Sequence, residues 1–295
     1  MSKKPRRQSK TSGEAGGATG VRLQRVMAAA GVAARRVCEE LIETGHVKVN
    51  GKTVTRLPVF VDPEVDHIVV DGRPITRQHT RQVYIMFNKP ERVLTTAADE
   101  PGLGRKTVTD LVLHPSAPRL FPVGRLDYQT KGLVLLTNDG EMANLLTHPR
   151  YEVPKTYEAV VKGVLDVMAV QRMQHALVRQ LAKSDRREGR LRPAGTHDRV
   201  EIAISGYDGD RTTLRITMRD GRGGSMAAML TAAGATLKSL ERTAIGPLEL
   251  SSLARGHWRE LERREIGALR KAARLSRSGS RQRTAAGAGH PEPSA

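Results

Sequence analysis

The chain has 295 residues, enough for two compact domains with further terminal segments. Its 49 lysines and arginines exceed the 31 acidic residues and give a formal net charge of +18. That excess indicates a polyanionic partner, with nucleic acid first and an acidic membrane surface second. The single cysteine, Cys38, excludes a disulfide framework and a multi-cysteine zinc site. No apolar run approaches the ~20 residues that span a bilayer, and no apolar segment follows the basic N-terminus, so we expect a cytoplasmic protein.

Both ends of the chain are rich in small and basic residues. Residues 1–20 lack hydrophobic periodicity, and residues 267–295 combine arginines with serine, glycine and alanine. We predict a flexible basic arm at the start and a flexible basic tail at the end. Such segments either bind a phosphate backbone without reading its sequence or remain passive, and composition leaves both alternatives open.

Residues 21–80 predict a small unit of two short helices packed on a β structure. Apolar residues recur at helical spacing before Gly31, and again from about Ala34 to Gly45. Asn50-Gly51 between two extended segments indicates a type I′ hairpin. The exposed positions gather cations that can contact several phosphates together: Arg22, Arg25, Arg35, Arg36 and Lys48.

Residues 82–266 predict a larger unit, a mixed, mainly antiparallel sheet core with flanking helices, so that the fold class is α+β. Apolar runs and alternating apolar residues predict strands at 83–87, 133–136, 157–161, 200–204 and 214–218. Ser225 is predicted to cap a helix that ends at Gly234.

The densest cluster of polar and charged residues spans Pro122 to Gly132, with the sequence PVGRLDYQTKG. Arg125 and Asp127 are two residues apart and would share one face of an extended segment. A buried strand follows directly, so a rigid scaffold can hold the carboxylate at a cleft. The same spacing is typical of a turn aspartate that hydrogen-bonds its own backbone, and spacing alone favours this second interpretation.

Two stretches of the chain resemble known families. RLQRVMAAAGVAARRVCEELIETGHVKVNGKTV resembles an S4 RNA-binding domain, on the arginines before the second helix and the V-x-V-N-G hairpin. GRLDYQTKGLVLLTNDG followed by THPRYEVPKTYEAVVKG resembles the pseudouridine synthases that modify ribosomal RNA, in the branch of small-subunit synthase A and large-subunit synthases B, E and F. NKPERVLTT at 88–96 and IGPLELSSLARGHWREL at 245–261 fit the start and the end of that family's core. Within the branch, the tails and the length are most similar to those of a large-subunit enzyme.

The resemblance implies an activity and assigns roles to residues. Asp127 becomes the catalytic residue of a uridine-to-pseudouridine isomerisation in RNA, in which the target base leaves its stack. Its carboxylate either attacks C1′ of the ribose or takes the C2′ proton, and the sequence does not choose between these routes. The substrate-binding residues implied by the motifs are Arg125, Leu126, Lys155, Tyr157 and Arg222, with Tyr157 packing against the extruded base.

The resemblance also implies partners. Ribosomal RNA or a pre-ribosomal particle would be the substrate, with no membrane, and we expect a monomer. Neither chemical route needs a metal or another cofactor, and none is expected.

The segment from Asp220 to Met229 departs from the family pattern. It reads DGRGGSMAAM where E-G-R-N-R-Q-V-R-R-M is usual. The family arginine that pairs with the catalytic aspartate falls at Ala227, and Ala228 replaces its neighbour. An opposed guanidinium favours the ionised form of a buried aspartate, and a shifted arginine such as Arg222 does not restore the same bidentate geometry.

This departure leaves alternatives to an enzyme. A catalytically weak RNA-binding or ribosome-assembly factor on the same scaffold is the first of them. A DNA-binding protein is the second, although no recognition-helix motif is evident in the sequence.

Overall fold

The computed structural model describes residues 20–75, 81–98, 103–115, 119–187, 199–219 and 225–286. The chain divides into two compact units, residues 1–80 and 81–295. Within the described ranges, no helix combines the length and the apolar character needed to cross a membrane. Of the arm predicted at 1–20, residues 1–19 lie outside the described residues.

The first unit packs short helices onto short strands. In chain order its elements are β1 (Val21–Arg22), α1 (Leu23–Ala29), α2 (Arg35–Glu43), β2 (Val47–Val49), β3 (Lys52–Val54), β4 (Phe60–Val61), β5 (Ile68–Val70) and β6 (Arg73–Pro74). One antiparallel sheet has the order β3-β2-β5-β6, and β1 pairs with β4.

The predicted apolar helix faces form the core of this unit. Leu23 and Met27 of α1 and Cys38 and Ile42 of α2 are fully buried. Ala34 precedes α2 and forms no side-chain cap, which costs about 1 kcal/mol relative to a serine cap. The helix nevertheless forms, because its buried face outweighs the missing cap.

The predicted hairpin turn is confirmed. Asn50 and Gly51 both have positive φ angles, 50° and 79°, and join the antiparallel pair β2 and β3. Asp71 and Gly72 repeat the arrangement between β5 and β6, with φ angles of 48° and 76°. Positive φ at both central residues is the requirement of a type I′ turn, which explains Asn-Gly and Asp-Gly at these positions.

The second unit is built on one large sheet. Its elements are β7 (Tyr84–Lys89), α3 (Val108–Leu111), β8 (Phe121–Val123), β9 (Lys131–Thr137), α4 (Gly140–Thr147), a 3₁₀ turn (Pro149–Tyr151), β10 (Lys155–Lys162), α5 (Val167–Arg187), β11 (Val200–Asp208), β12 (Arg211–Met218), α6 (Met226–Ala232), β13 (Leu237–Ile245), β14 (Leu248–Glu249), β15 (Trp258–Glu260) and α7 (Arg263–Ala286). The strand order is β11-β12-β10-β13-β9-β7-β15, with β8 beside β9 and β14 beside β13.

Antiparallel pairing dominates this sheet, as predicted, and the α+β fold class is confirmed. The exception is the pair β9 and β13, which run parallel. Helices cover both faces: Ile85 and Phe87 of β7 belong to one apolar cluster with α5 and α6, whereas Tyr84 and Met86 belong to another with α4 and α7. Alternate residues of a strand point to opposite faces, so the two clusters lie on opposite sides of the sheet.

The last helix corrects the predicted flexible tail at 267–295. α7 extends from Arg263 to Ala286, and residues 287–295 lie outside the described ranges. Leu269 and Ala273 are 1% and 0% exposed in the second apolar cluster. Their i, i+4 spacing places them on one helix face, and burial of that face stabilises a helix despite the basic composition. Arg270 adds a hydrogen bond to the Tyr84 hydroxyl at 3.0 Å.

Candidate active site

The polar motif at 122–132 comprises the loop between β8 and β9, residues 124–130, and the adjoining ends of both strands. Within it, the Thr130 amide donates a hydrogen bond to the Asp127 carbonyl at 3.0 Å and closes a turn. A turn therefore forms at Asp127, but its backbone carbonyl accepts the closing hydrogen bond, and not the carboxylate that the spacing predicts. The loop leads directly into β9, beside the parallel pair near the middle of the sheet.

Gly132 fixes the end of this loop. Its φ is +105°, and a Cβ atom at this position would lie 2.4 Å from the carbonyl oxygen and 2.7 Å from the amide nitrogen of Arg242. Real Cβ atoms do not approach backbone atoms so closely, so only glycine permits β9 and β13 to pair here. The close approach determines where the loop before β9 can lie.

The residues on both sides of Asp127 are held by one segment, the end of β7 and the turn that follows it. The Thr95 hydroxyl donates to the Leu126 carbonyl at 2.8 Å and accepts from the Leu126 amide at 3.3 Å. The ammonium of Lys89 lies 3.4 Å from the Tyr128 carbonyl. The backbone on both sides of Asp127 is thus fixed by the buried polar side chains of Thr95 and Lys89.

Lys89 is a fully buried cation below this loop. Its ammonium donates to the carbonyls of Pro90 at 3.0 Å and Val93 at 2.9 Å. Burial lowers the pKa of Lys89 to about 8, while the negative charges of Asp127 and Glu91 oppose that shift. Lys89 is therefore close enough to Asp127 for their charges to interact, and its ammonium also contacts the Tyr128 carbonyl of the loop.

Arg242 of β13 is a second buried cation, 1% exposed. Its Nε donates to the Leu133 carbonyl at 2.8 Å, and its Nη2 has no hydrogen-bond partner among the described residues. Its positive charge contributes to the lowered pKa of Lys89. Two positive charges are therefore enclosed on the core side of the loop.

The Asp127 side chain differs from the expectation of a buried aspartate, because it is exposed. Arg125 is exposed as well, whereas Leu126 between them is 7% exposed and belongs to the first apolar cluster. The loop therefore anchors itself through Leu126 and presents the two charged side chains to solvent.

The Asp127 carboxylate contacts helix α6. The Ser225 hydroxyl lies 2.6 Å from Asp127 Oδ2 and 3.0 Å from the amide nitrogen of Ala228, where it caps the helix. The predicted cap is confirmed, but the contact with Asp127 was not predicted. Ala227, at the position of the expected arginine, packs partly buried against the first apolar cluster.

Comparison with known proteins places the chain in a family. The model of the RNA pseudouridylate synthase family matches residues 83–224, and the S4 domain model matches residues 21–66. An uncharacterized RNA pseudouridine synthase of Aquifex aeolicus is 44% identical over 255 residues, which cover 86% of this chain and 96% of that protein. The chain belongs to the RNA pseudouridine synthase family. The resemblance stated from the sequence is confirmed.

Other relatives of this pseudouridine synthase agree. Ribosomal large subunit pseudouridine synthase B of Bacillus subtilis is 41% identical over 253 residues, covering 85% of this chain and 96% of that protein. The crystal structure of a pseudouridylate synthase covers 84% of this chain and 99% of its own, at 26% identity and a TM-score of 0.51. The protein is therefore an RNA pseudouridine synthase, an isomerase with an N-terminal S4 RNA-binding domain.

In this synthase, the predicted substrate-binding residues Lys155 and Tyr157 lie on the buried face of β10. Lys155 is 7% exposed and Tyr157 is 5% exposed. Tyr157 belongs to the same apolar cluster as Leu126 and pairs across the sheet with Arg242. The ring is thus an integral part of the core, and its contact with a base stays a prediction.

The remaining predicted RNA-binding residues divide into two groups. The cations of the S4 domain are all exposed: Arg22, Arg25, Arg35, Arg36 and Lys48. Arg22 lies 6.0 Å from the ring centroid of Phe60, itself 56% exposed. Arg222 lies outside the described residues.

Within the described ranges, no group of three or more histidine, cysteine or acidic side chains is placed to hold a metal ion.

Proposed function

We propose that this synthase converts a uridine of large-subunit ribosomal RNA to pseudouridine, with Asp127 as the catalytic residue and with the target base extruded from its stack. The supporting observation is the Asp127 loop, whose backbone is fixed by Thr95 and Lys89 while its carboxylate is exposed. The likeness to the Bacillus subtilis large-subunit enzyme supports the choice of substrate.

The reaction requires a carboxylate held accurately near one ribose. The C1′–N1 bond breaks, the uracil turns and a C1′–C5 bond forms, while C5 loses its proton and N1 gains one. A carboxylate assists either by attacking C1′ or by taking the proton from C2′ and later returning it. Both routes need the carboxylate within about 3.5 Å of its target, which a fixed loop backbone favours.

The RNA must pay for access to this carboxylate. Extruding one base costs a few kcal/mol, and contacts elsewhere on the RNA offset that cost. The exposed cations of the S4 domain suit this task because phosphate contacts add affinity without reading sequence. We assign Lys155 and Tyr157 to the floor that receives the base.

The central test is Asp127→Asn, which keeps the shape of the side chain and removes its charge and nucleophile. We expect pseudouridine formation in deproteinised ribosomal RNA, mapped with carbodiimide, to fall by about 10³-fold or more. RNA binding at fixed salt should not change. Glu158→Gln, an exposed position on β10, is the matched control and should keep full activity. Unchanged turnover in Asp127→Asn would contradict the assigned role.

Ala227 favours a second candidate, an RNA-binding or ribosome-assembly factor with weak or absent catalysis. The residue packs partly buried in the apolar cluster and offers no charge to Asp127. Under this alternative the protein binds ribosomal RNA without isomerising it. Activity gained by Ala227→Arg together with Ala228→Arg would support it, and isomerisation by the unmodified protein at a rate that these substitutions do not raise would exclude it.

A further inference from the structure

Ser225 contacts the Asp127 carboxylate across 98 residues of sequence. The direction of this contact follows from the other one that the hydroxyl makes. The Ala228 amide lies 3.0 Å from Ser225 Oγ and can only donate, so the oxygen accepts there. The single hydroxyl proton is then free for Asp127 Oδ2 at 2.6 Å. Ser225 is thus a hydrogen-bond donor to the carboxylate while it caps α6.

This contact stands out against the surroundings of Asp127. Within the described residues, Ser225 provides the side-chain hydrogen bond to this carboxylate, which is otherwise exposed to water. An exposed carboxylate with no contact samples several rotamers, because water competes for its oxygens. One short hydrogen bond to a fixed donor selects a single orientation.

The donor itself is firmly held. Met226 and Leu230, on the buried face of α6, are 3% and 0% exposed in the first apolar cluster. The Gln180 amide of α5 donates to the Met229 carbonyl at 3.2 Å and ties the two helices together. Since α6 is packed against α5 and the first apolar cluster, the serine at its start has a fixed support.

We propose that Ser225 is a positioning residue for catalysis: it orients the Asp127 carboxylate at the place where the arginine expected from the family is replaced by Ala227. The inference rests on the proposed function, in which Asp127 is catalytic. A hydroxyl differs from a guanidinium because it aims the carboxylate without bringing a charge. Among the described residues, Lys89 brings a positive charge close to Asp127 from the core side.

Three substitutions separate positioning from helix capping. Ser225→Thr keeps both the hydroxyl donor and the cap. Ser225→Ala removes both. Ser225→Asp keeps a good cap, because aspartate oxygens accept from the first amides of a helix, but it removes the donor and sets a second carboxylate against Asp127. A comparison of these variants therefore distinguishes the two roles of the hydroxyl.

The measurement is the single-turnover rate of pseudouridine formation at saturating ribosomal RNA, together with RNA affinity and thermal stability. We expect Ser225→Thr to stay within about threefold of the unmodified rate and Ser225→Ala to fall by about tenfold to a hundredfold, as for a misplaced reacting group. Ser225→Asp should fall at least as far while its melting temperature stays near that of the unmodified protein. RNA affinity should be unchanged in Ser225→Thr and Ser225→Ala.

Several outcomes would overturn the proposal. An unmodified rate in Ser225→Ala shows that the contact is not needed, and an unmodified rate in Ser225→Asp shows that only the cap matters. Ser225→Thr as slow as Ser225→Ala would equally contradict it. Failure of the proposed function is distinguished by Asp127→Asn: if that variant keeps its activity, the catalytic assignment itself is wrong, whereas an inactive Asp127→Asn beside a fully active Ser225→Ala rejects only the positioning role.

Discussion

The backbone of the loop that carries Asp127 and the Asp127 carboxylate itself are stabilised in opposite ways. On the core side, Thr95 and Lys89 hold the loop through buried hydrogen bonds, and Gly132 lets β9 pack against β13. On the outer side, Asp127 is exposed and is held by the Ser225 hydroxyl.

This difference predicts which contacts affect stability when they are removed and which affect the orientation of the Asp127 carboxylate. Buried polar contacts cannot be replaced by water, so removing one affects folding and activity together. An exposed contact can be replaced by water, so loss of the Ser225 hydroxyl should cost about 1 kcal/mol of stability, through the helix cap, and should act mainly on the orientation of Asp127. The substitutions below test the core side, from the largest expected effect to the smallest.

Gly132→Ala should be the most damaging change. The added Cβ would meet the Arg242 backbone at 2.4 Å and force β9 and β13 apart. We expect a loss of about 4 kcal/mol or more in the free energy of unfolding, measured with urea. Gly206→Ala is the matched control, because nothing lies within 4 Å of its Cβ position. Equal stability of the two variants would contradict the close approach.

Lys89→Met should destabilise the protein by about 2 kcal/mol near neutral pH. The substitution leaves the buried carbonyl of Val93 and the partly buried carbonyl of Pro90 without this donor, and that loss exceeds the relief of desolvation. Lys162→Met, at an exposed position on β10, should change stability little. A Lys89→Met protein as stable as the unmodified one would show that the ammonium does not support the loop.

The pH dependence of the stability difference between the unmodified protein and Lys89→Met tests the lowered pKa of Lys89. Burial lowers the pKa of Lys89 to about 8 in the folded protein, against 10.5 as the ordinary value. Between these two pH values the unfolded chain binds more protons than the folded protein, so stability rises with pH. The unmodified protein should therefore gain stability relative to Lys89→Met from pH 8 to pH 10.5, with a constant difference below pH 8. A flat difference over the whole range would contradict the lowered pKa.

Thr95→Val should have a moderate effect. The substitution keeps the shape of the side chain and removes both hydrogen bonds to Leu126. We expect a loss of about 1–2 kcal/mol in stability and a slower single-turnover rate. Thr95→Ser retains the hydroxyl and should keep the rate. If both variants react equally fast, the hydrogen bonds between Thr95 and Leu126 do not position Asp127.

Arg92→Gly should have the smallest effect, and in the opposite direction. Arg92 has a φ of 59°, in the left-handed region, and its amide donates to the Tyr128 carbonyl at 2.8 Å. Glycine adopts this backbone without strain, so stability should rise by about 0.5–1 kcal/mol. Arg92→Ala retains the strain and serves as the control. A gain with alanine equal to that with glycine would rule out relief of backbone strain.

Local signals in the sequence predicted local structure well. Asn50-Gly51 has the turn conformation that this dipeptide favours, and Ser225 caps the helix that it precedes. Both depend on neighbours within a few residues. The strand alternation at 157–161 was equally reliable, because the buried face of β10 carries every second residue.

Two central elements, β13 and α5, were not predicted from the sequence. β13 alternates Leu240, Arg242 and Ala244 on its buried face, and a charged residue in the middle of that series hides the strand. α5 carries Val170 and Leu177 at helical spacing, but its polar second half obscured its length. A buried cation is an exception to the pattern on which strand prediction rests.

The site was predicted only in part. The resemblance pointed to the Asp127 loop, whereas its contact with Ser225 joins residues 98 positions apart. The hydrogen bond from Thr95 to Leu126 joins residues 31 positions apart, and the contact of Lys89 with Tyr128 joins residues 39 positions apart. Such pairs become neighbours only through the sheet order, which one sequence does not reveal.

The parallel pairing of β9 with β13 also determines when, during synthesis of the chain, β9 can pair on this side. The loop before β9 emerges from the ribosome more than a hundred residues before Arg242, against whose backbone Gly132 must seat. The edge strand β15, which borders β7, is made later still. A nascent chain therefore carries Asp127 through the synthesis of more than a hundred further residues before Arg242 is made, and a chain that stops before β13 lacks the strand against which Gly132 packs.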